Sequence, residues 1–545
     1  MSPADDRRRP PRREPGGGHG DARRDDGRRD DTRRDAPRRD DARRDAAGRQ
    51  RGAARAEGRG HRSAAAPGER RRTTDPARDA AFDVLRAVDG SDSYANLVLP
   101  PLLAERGLHG RDAAFATELA YGTLRLRGRY DAVLALASGR DPGALDAPLL
   151  DVLRLGAHQV LGMRVPPHAA VSETVGLARA RVGAGPAQLV NAVLRRVTEA
   201  GPEEWTTRVA QAADPTGDDT VARLAVTESH PAWVVRALRE ALVGHGRRAE
   251  ELPDLLAADN VAPRVTLVAR PGLVARQELL DELPHARAAA LTPSAVVLDG
   301  GDPADVRAVA DGRAGVQDEG SQLVALALLA AGVEGTDARW LDLCAGPGGK
   351  AALLAAAAAG RGARLVATEV QPHRTRLVER ALRAVPRRAV EAVRTGDGRA
   401  VGADEPGAFD RVLVDAPCTG LGALRRRPES RWRRTPADVA GLGTLQRELL
   451  SSALDAVRPG GVVAYVTCSP HLAETSLVVR DVVRARARAG VVVTPLDARA
   501  VVRGLAPDVD LGDDRTPGGE PRLDVQLWPH VHGTDAMYLA LLRRD

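Results

Sequence analysis

Lysine is almost absent from this chain of 545 residues. The 80 basic side chains include one lysine, Lys350, and every other one is arginine. Aromatic residues are nearly as scarce at 2 %, so any core must be built from Leu, Val and Ala. Cysteine occurs three times, at 344, 418 and 468, which excludes a disulfide framework and suits a reducing compartment. No run approaches the ~18 apolar residues of a membrane span; Leu323 to Ala331 is the kind of run present. The charged N-terminus lacks the apolar centre of a secretory signal. These absences lead us to expect a soluble, cytoplasmic protein with no membrane contact.

What is present has the balance of a globular protein, with 43 % hydrophobic and 28 % charged residues. The length exceeds what one core can organise, so two or three domains are expected. The bias to Arg and Ala suits a GC-rich genome, and a single lysine inside a glycine loop reads either as a functional position or as a chance survivor. The net charge of +6 is unevenly placed: residues 1–72 hold 23 Arg against 14 acids, a net of +9, which leaves −3 for the rest.

Residues 1–73 are an Arg/Asp-rich, low-complexity tail in which Asp-Ala-Arg-Arg-Asp recurs at 21–25 and 41–45. A segment with so little apolar surface cannot offset its chain entropy and is expected to be disordered. It reads either as an arm attracted to phosphates or as a self-neutralising spacer. Residues 74–212 are expected to be all-helical: Asp75-Pro76 makes an N-cap and first helical position, and apolar residues follow at helical spacing through Ala81, Val84, Leu85 and Val88. Residues 213–310 read as a small α+β module, with strand candidates within Asn260–Val268 and at Val296–Asp299.

The chemistry concentrates in 311–545. Arg339-Trp-Leu-Asp-Leu-Cys-Ala-Gly-Pro-Gly-Gly-Lys350 reads as strand, glycine loop and helix start, where bare backbone N–H groups can approach a ligand. Further apolar strands end at Glu369, near Asp397, at Asp415 and at Cys468. Strands alternating with helices argue for a parallel sheet covered on both faces, with ligands outside its carboxyl edge. Singly, each acid has a plainer reading: Asp397 could start a turn and Glu369 could cap the next helix. Their convergence with Asp342 on one edge argues for a site. Two cysteines on loops, in Asp415-Ala-Pro-Cys-Thr-Gly and Thr467-Cys-Ser-Pro470, are placed as reactive thiols rather than inert packing. No metal is expected, because no clustered His or Cys-x-x-Cys accompanies them.

These motifs, together with Leu189-Val-Asn-Ala-Val-Leu-Arg195, Ser229-His-Pro-Ala-Trp233, Val316-Gln-Asp-Glu-Gly-Ser321 and Gly533-Thr-Asp535, resemble the RsmB/Sun (Fmu) family of 16S ribosomal RNA cytosine-5 methyltransferases over nearly all of the chain from residue 75. The resemblance implies a NusB-like helical RNA-binding domain, the small α+β module, and a Rossmann-like α/β core using S-adenosyl-L-methionine. It implies a monomer acting on 16S RNA, free or in early assembly particles. Cys344, Ala345, Gly346, Pro347, Gly348, Gly349 and Lys350 would wrap the methionine end of the cofactor. Glu369 would hold the ribose and Asp397 would sit near the adenine. Asp415 would meet cofactor and base, Cys468 would be the nucleophile and Cys418 would assist release. Thr419, Ala351 and Tyr538 depart from the usual Ser, Thr and Phe without removing a catalytic group. Three alternatives stay open: the same chemistry on transfer RNA or another RNA, an RNA-binding assembly factor with a vestigial core, and a DNA-type enzyme in which Cys418 is the nucleophile.

Overall fold

The computed structural model describes residues 74–545 except 92 and 517, so the expected disorder of 1–73 lies outside the described residues. The chain begins as a helical bundle. Asp75 caps the first helix, Pro76–Gly90, by accepting the Arg78 N–H at 2.8 Å, and proline at the first helical position has no N–H to leave unpaired. Six further α-helices through Ala184–Val197 pack around a core that includes Leu119, Leu153, Leu155, Val190 and Leu194. Leucines, valines and alanines supply most of that core, with Phe82, Tyr130 and Trp205 buried among them.

Helices Pro202–Ala213, Thr220–Thr227, Ala232–Gly244 and Leu252–Ala258 follow. The last two are not a free module: Val234, Leu238, Leu242 and Leu255 share one apolar cluster with Leu421, Leu424 and Trp528 of the C-terminal domain. The strands of the middle segment form an antiparallel sheet of β1 (Thr266–Ala269), β2 (Ala286–Ala288), β3 (Ala295–Leu298) and β4 (Ala314–Val316), in the order β2-β3-β1-β4. Its edge strand β4 lies beyond residue 310, inside the stretch assigned to the next domain. A joint follows at once. Glu319 Oε1 accepts the Leu291 and Thr292 N–H groups at 2.5 and 2.9 Å, and Gln322 donates to the Leu267 and Gln317 carbonyls at 3.2 and 3.0 Å. Val316-Gln-Asp-Glu-Gly-Ser321 thus fastens the small sheet to the helix Glu319–Ala330 of the core.

The core sheet contains β5 (Arg339–Asp342), β6 (Arg364–Glu369), β7 (Val390–Thr395), β8 (Phe409–Asp415), β9 (Val457–Thr467), β10 (Val493–Leu496), β11 (Val525–Gln526) and β12 (Tyr538–Arg544), ordered β10-β12-β9-β8-β5-β6-β7, with β11 also on β12. Strands β5 to β9 are parallel, as the alternation with helices implies. The parallel reading fails at one side, where β12 runs antiparallel to β9, and β10 and β11 antiparallel to β12. From β5 the chain steps outward through β6 to β7 and then returns to β8 on the other flank. The order reverses between β5 and β8, and ligands of such sheets bind outside the carboxyl ends at that reversal. Asp342 and Asp415 are the last residues of those two strands. Among the described residues no helix is long and apolar enough to cross a membrane.

Candidate active site

The glycine loop is built as a cradle. At Gly346 an added Cβ would lie 2.1 Å from Glu369 Oε2, and at Gly348, whose φ is +111°, it would lie 2.7 Å from the Ala381 Cβ. Neither position admits a side chain, so backbone lines the floor. The loop, with Ala345 buried and Pro347 at its tip, opens the helix Gly349–Arg361, whose first turn leaves N–H groups directed at the site. Glu369 is buried; its Oε2 accepts the Gly346 N–H at 3.0 Å and faces Arg374 at 3.4 Å. Its Oε1 accepts the Gln371 N–H at 3.0 Å, a turn contact just ahead of the next helix; no side chain caps that helix, so Glu369 does not take the plain capping role.

Asp397 is half-exposed and folds back on its own turn, accepting the Arg399 N–H at 2.9 Å and pairing with the Arg399 guanidinium at 2.6 Å. That pairing, with the backbone bond, holds its carboxyl below the usual range. A cleft of about 830 Å³ borders Asp397, Arg399, Glu448 and Arg544, and its lining includes neither Cys418 nor Cys468.

At the reversal point Lys350 Nζ donates to Asp415 Oδ2 at 2.8 Å. Burial disfavours the ammonium, yet the Asp415 carboxylate raises its affinity for the proton above the ordinary value. Asp342 sits beneath this pair, 1 % exposed, with neither carboxylate oxygen hydrogen-bonded. Burial first, and then the Asp415 charge, push its pKa up to about 8. A buried acid with unpaired oxygens next to a glycine cradle suits a site that receives a cationic ligand.

Cys418 and Cys468 meet above Asp415, with sulfurs 3.4 Å apart. Their acidities are pulled in opposite directions. The hydrogen bond to Cys468, burial, the Cys468 charge and Glu474 push the Cys418 thiol well above its ordinary value. Cys468 is lowered by its contact with Cys418 and by the Lys350 charge, against burial, Asp415 and Asp535. The arrangement favours a Cys468 thiolate beside a protonated Cys418. Cys344 packs beneath, against the cluster of Leu341 and Val414, where burial and then Asp342 and Asp415 push its thiol well up. It lines the loop as an inert residue.

Some of the site escaped sequence reasoning. Asp535, fully buried, accepts from Arg426, and its N–H donates to Asp318 at 3.2 Å. The Asp535 charge reaches Cys468, which is why Gly533-Thr-Asp535 returns to the centre from the far end of the sequence. Glu474 was also missed, and no local pattern marks it. Among the described residues no group of three or more His, Cys, Asp or Glu is placed to hold a metal ion.

The model of the family "16S rRNA methyltransferase RsmB/F" matches residues 330–543, and that of the NusB family matches residues 75–199. A Mycobacterium tuberculosis protein, named only as a methyltransferase, is 52 % identical over 475 residues, 87 % of this chain and 98 % of that protein. The ribosomal RNA small subunit methyltransferase B of Pseudomonas putida is 32 % identical over 412 residues, covering 74 % of this chain and 88 % of that one. The crystal structure of PH0851 shares the fold, with a TM-score of 0.68 at 20 % identity over 86 % of this chain and 99 % of that one.

Proposed function

The chain belongs to the RsmB/F methyltransferase family and carries a NusB domain ahead of its catalytic core, and from that premise we propose that it methylates C5 of a cytidine in 16S ribosomal RNA through a covalent adduct between Cys468 and C6. Its broader class is that of S-adenosylmethionine-dependent RNA cytosine-5 methyltransferases. The observation that carries the reading is the pair of sulfurs 3.4 Å apart beside the Lys350–Asp415 pair.

The cradle fits the cofactor, because two glycines whose Cβ would clash give close backbone approach and Asp342 is a buried acid without a side-chain hydrogen-bond partner. Gly346 to Lys350 would hold its methionine end and Glu369 its ribose, with Asp397 toward the adenine; bound there, S-adenosylmethionine supplies an electrophilic methyl group. C5 of cytosine is a poor nucleophile. Cys468 thiolate adds to C6, the S–C6 bond forms, and the displaced π electrons make C5 enamine-like. The Lys350–Asp415 pair would face the base at N3 and stabilise the charge that develops there in the adduct. After C5 has taken the methyl group, a base removes the C5 proton, the electrons restore the 5,6 double bond and Cys468 leaves; Cys418 would assist this release. The target base must leave its stack to reach the thiols, which favours a single-stranded or loop site.

The test supplies purified protein and labelled cofactor with unmodified 16S RNA and, separately, transfer RNA, and then digests the RNA to nucleosides. Label in 5-methylcytidine from 16S RNA supports the proposal. Label only in transfer RNA moves the substrate, and label in neither favours the assembly-factor reading.

A further inference from the structure

Glu474 plays no part in the scheme above, yet it ties the two cysteine loops together. It ends a one-turn helix, Leu472–Glu474, and has no exposed surface. Its partners are hydrogen-bond donors rather than cations. Oε1 accepts the Thr419 N–H at 2.8 Å and the Gln446 amide at 3.2 Å. Oε2 accepts the Thr419 hydroxyl at 2.5 Å and the Ser469 hydroxyl at 2.6 Å. Thr419 directly follows Cys418, and Ser469 directly follows Cys468. One carboxylate therefore holds the residue next to each sulfur. Gln446 completes the clamp from the helix Pro436–Ala456 by donating to the Pro417 carbonyl at 2.8 Å, so Cys418 is pinned on both sides. The Tyr465 hydroxyl donates to the Glu474 carbonyl at 2.9 Å and anchors the clamp to β9.

We propose that Glu474 is the positioning residue of the two-thiol centre: by holding the residue next to each sulfur it locks both cysteine loops into one unit and fixes the two thiols against each other. The inference rests on the two-thiol reading. Cys418 is raised by its contact with Cys468, by burial and by the Cys468 charge, to which Glu474 adds, while Lys350 lies on the side of Cys468. Other titratable groups around the pair are Tyr465 and His471 near Glu474, and Asp415, Asp535 and Arg426 near Cys468. None of these reaches both loops through hydrogen bonds as Glu474 does. Buried carboxylates satisfied by several donors are rigid, and rigidity is what a near-attack geometry requires.

The experiment compares wild type, Glu474→Gln and Glu474→Asp in two readouts. The first is iodoacetamide labelling between pH 6 and 9, with Cys418 and Cys468 quantified separately by peptide mass. The second is the pH profile of methyl transfer with kcat and KM separated. Wild type should label Cys468 at lower pH than Cys418. Glu474→Gln should narrow that gap and lower kcat on the order of 100-fold, the effect of misplacing a reacting group by about 1 Å, with KM little changed. Glu474→Asp, which keeps the charge, should restore the labelling order. An unchanged labelling order and an unchanged kcat in Glu474→Gln would overturn the proposal. Should that variant fail to fold, Thr419→Val and Ser469→Ala each remove one donor and keep the charge; both must lower kcat about tenfold, and wild-type kcat in both overturns it. Labelling is read on the protein alone, so a wild type that methylates no RNA refutes the activity while the positioning role is still decided.

Discussion

Replacing Arg431 with Met should cost this protein more stability than almost any other single change outside the apolar core. The guanidinium is fully buried at the meeting of three parts of the chain. It donates to the carbonyls of Arg125, Ser229 and Asp259 at 3.3, 3.0 and 3.2 Å and to Asn260 Oδ1 at 2.8 Å. Burial lowers its pKa to about 10, so it remains charged at neutral pH. Methionine fills most of the volume but leaves those acceptors unpaired, and breaking such a buried charged network costs ~3–5 kcal/mol. Asp259 adds a signature. It is buried, with neither oxygen hydrogen-bonded, and burial pushes its pKa up to about 7 while Arg431 opposes the rise. A carboxyl whose folded pKa is raised favours the folded state below its unfolded value and costs stability as pH rises through the folded value. Removing Arg431 raises Asp259 further, so the deficit should be larger at pH 8 than at pH 5.5. Urea titrations at both pH values, with hydrogen exchange in Gly110–Arg125 and Ala232–Gly244, measure this. Asp259→Asn in the Arg431→Met background should recover at least ~1 kcal/mol at pH 8, a coupling of the size neighbouring groups show. A loss below ~1 kcal/mol, or strict additivity of the two changes, would refute the reasoning.

Asp342→Asn should flatten the pH dependence of stability. With a folded pKa of about 8, against ~3.9 unfolded, Asp342 costs stability as pH rises between about 4 and 8, at up to ~1.4 kcal/mol per unit; parallel wild-type and variant urea midpoints from pH 5 to 8 would contradict this. Gly346→Ala forces a Cβ onto Glu369 and should weaken S-adenosylmethionine binding at least ~10-fold by calorimetry, since ~1.4 kcal/mol of strain suffices. Unchanged affinity would show that the loop can yield. Lys350→Met leaves Asp415 without its donor and removes one cation whose charge reaches Cys468, Arg426 being another. It should lower kcat on the order of 100-fold, and Cys468 should need higher pH for alkylation; wild-type alkylation would place the thiolate's support elsewhere.

The parts of this protein written in short-range pattern could be read from the chain. The glycine loop, the acids at strand ends and the cysteines after Asp-Ala-Pro and Val-Thr each announce a strand edge, and the sheet brings Asp342, Lys350, Asp415, Cys418 and Cys468 together. Glu369 and Asp397 each allow two readings: Asp397 makes the turn contact of its plainer one, while Glu369 caps no helix and bonds the glycine loop and the Gln371 N–H instead. Long-range facts were not legible. Nothing within β10 or β12 says that they pair antiparallel, because strand direction is set by the connection and not by composition. Leu424 to Arg434 contains six arginines, and nothing in their order marks Arg431 as the one that is fully buried. Glu474 sits five residues after Ser469 in an unremarkable stretch.

The central claim is that two thiols divide the work, Cys468 attacking and Cys418 releasing. Its most direct test is denaturing electrophoresis of wild type, Cys468→Ala and Cys418→Ala after reaction with labelled cofactor and 16S RNA. The account predicts no methylation and no adduct for Cys468→Ala, and for Cys418→Ala a methylated RNA that stays covalently attached to the protein. An adduct that accumulates in Cys468→Ala and never forms in Cys418→Ala would contradict it and exchange the roles of the two residues.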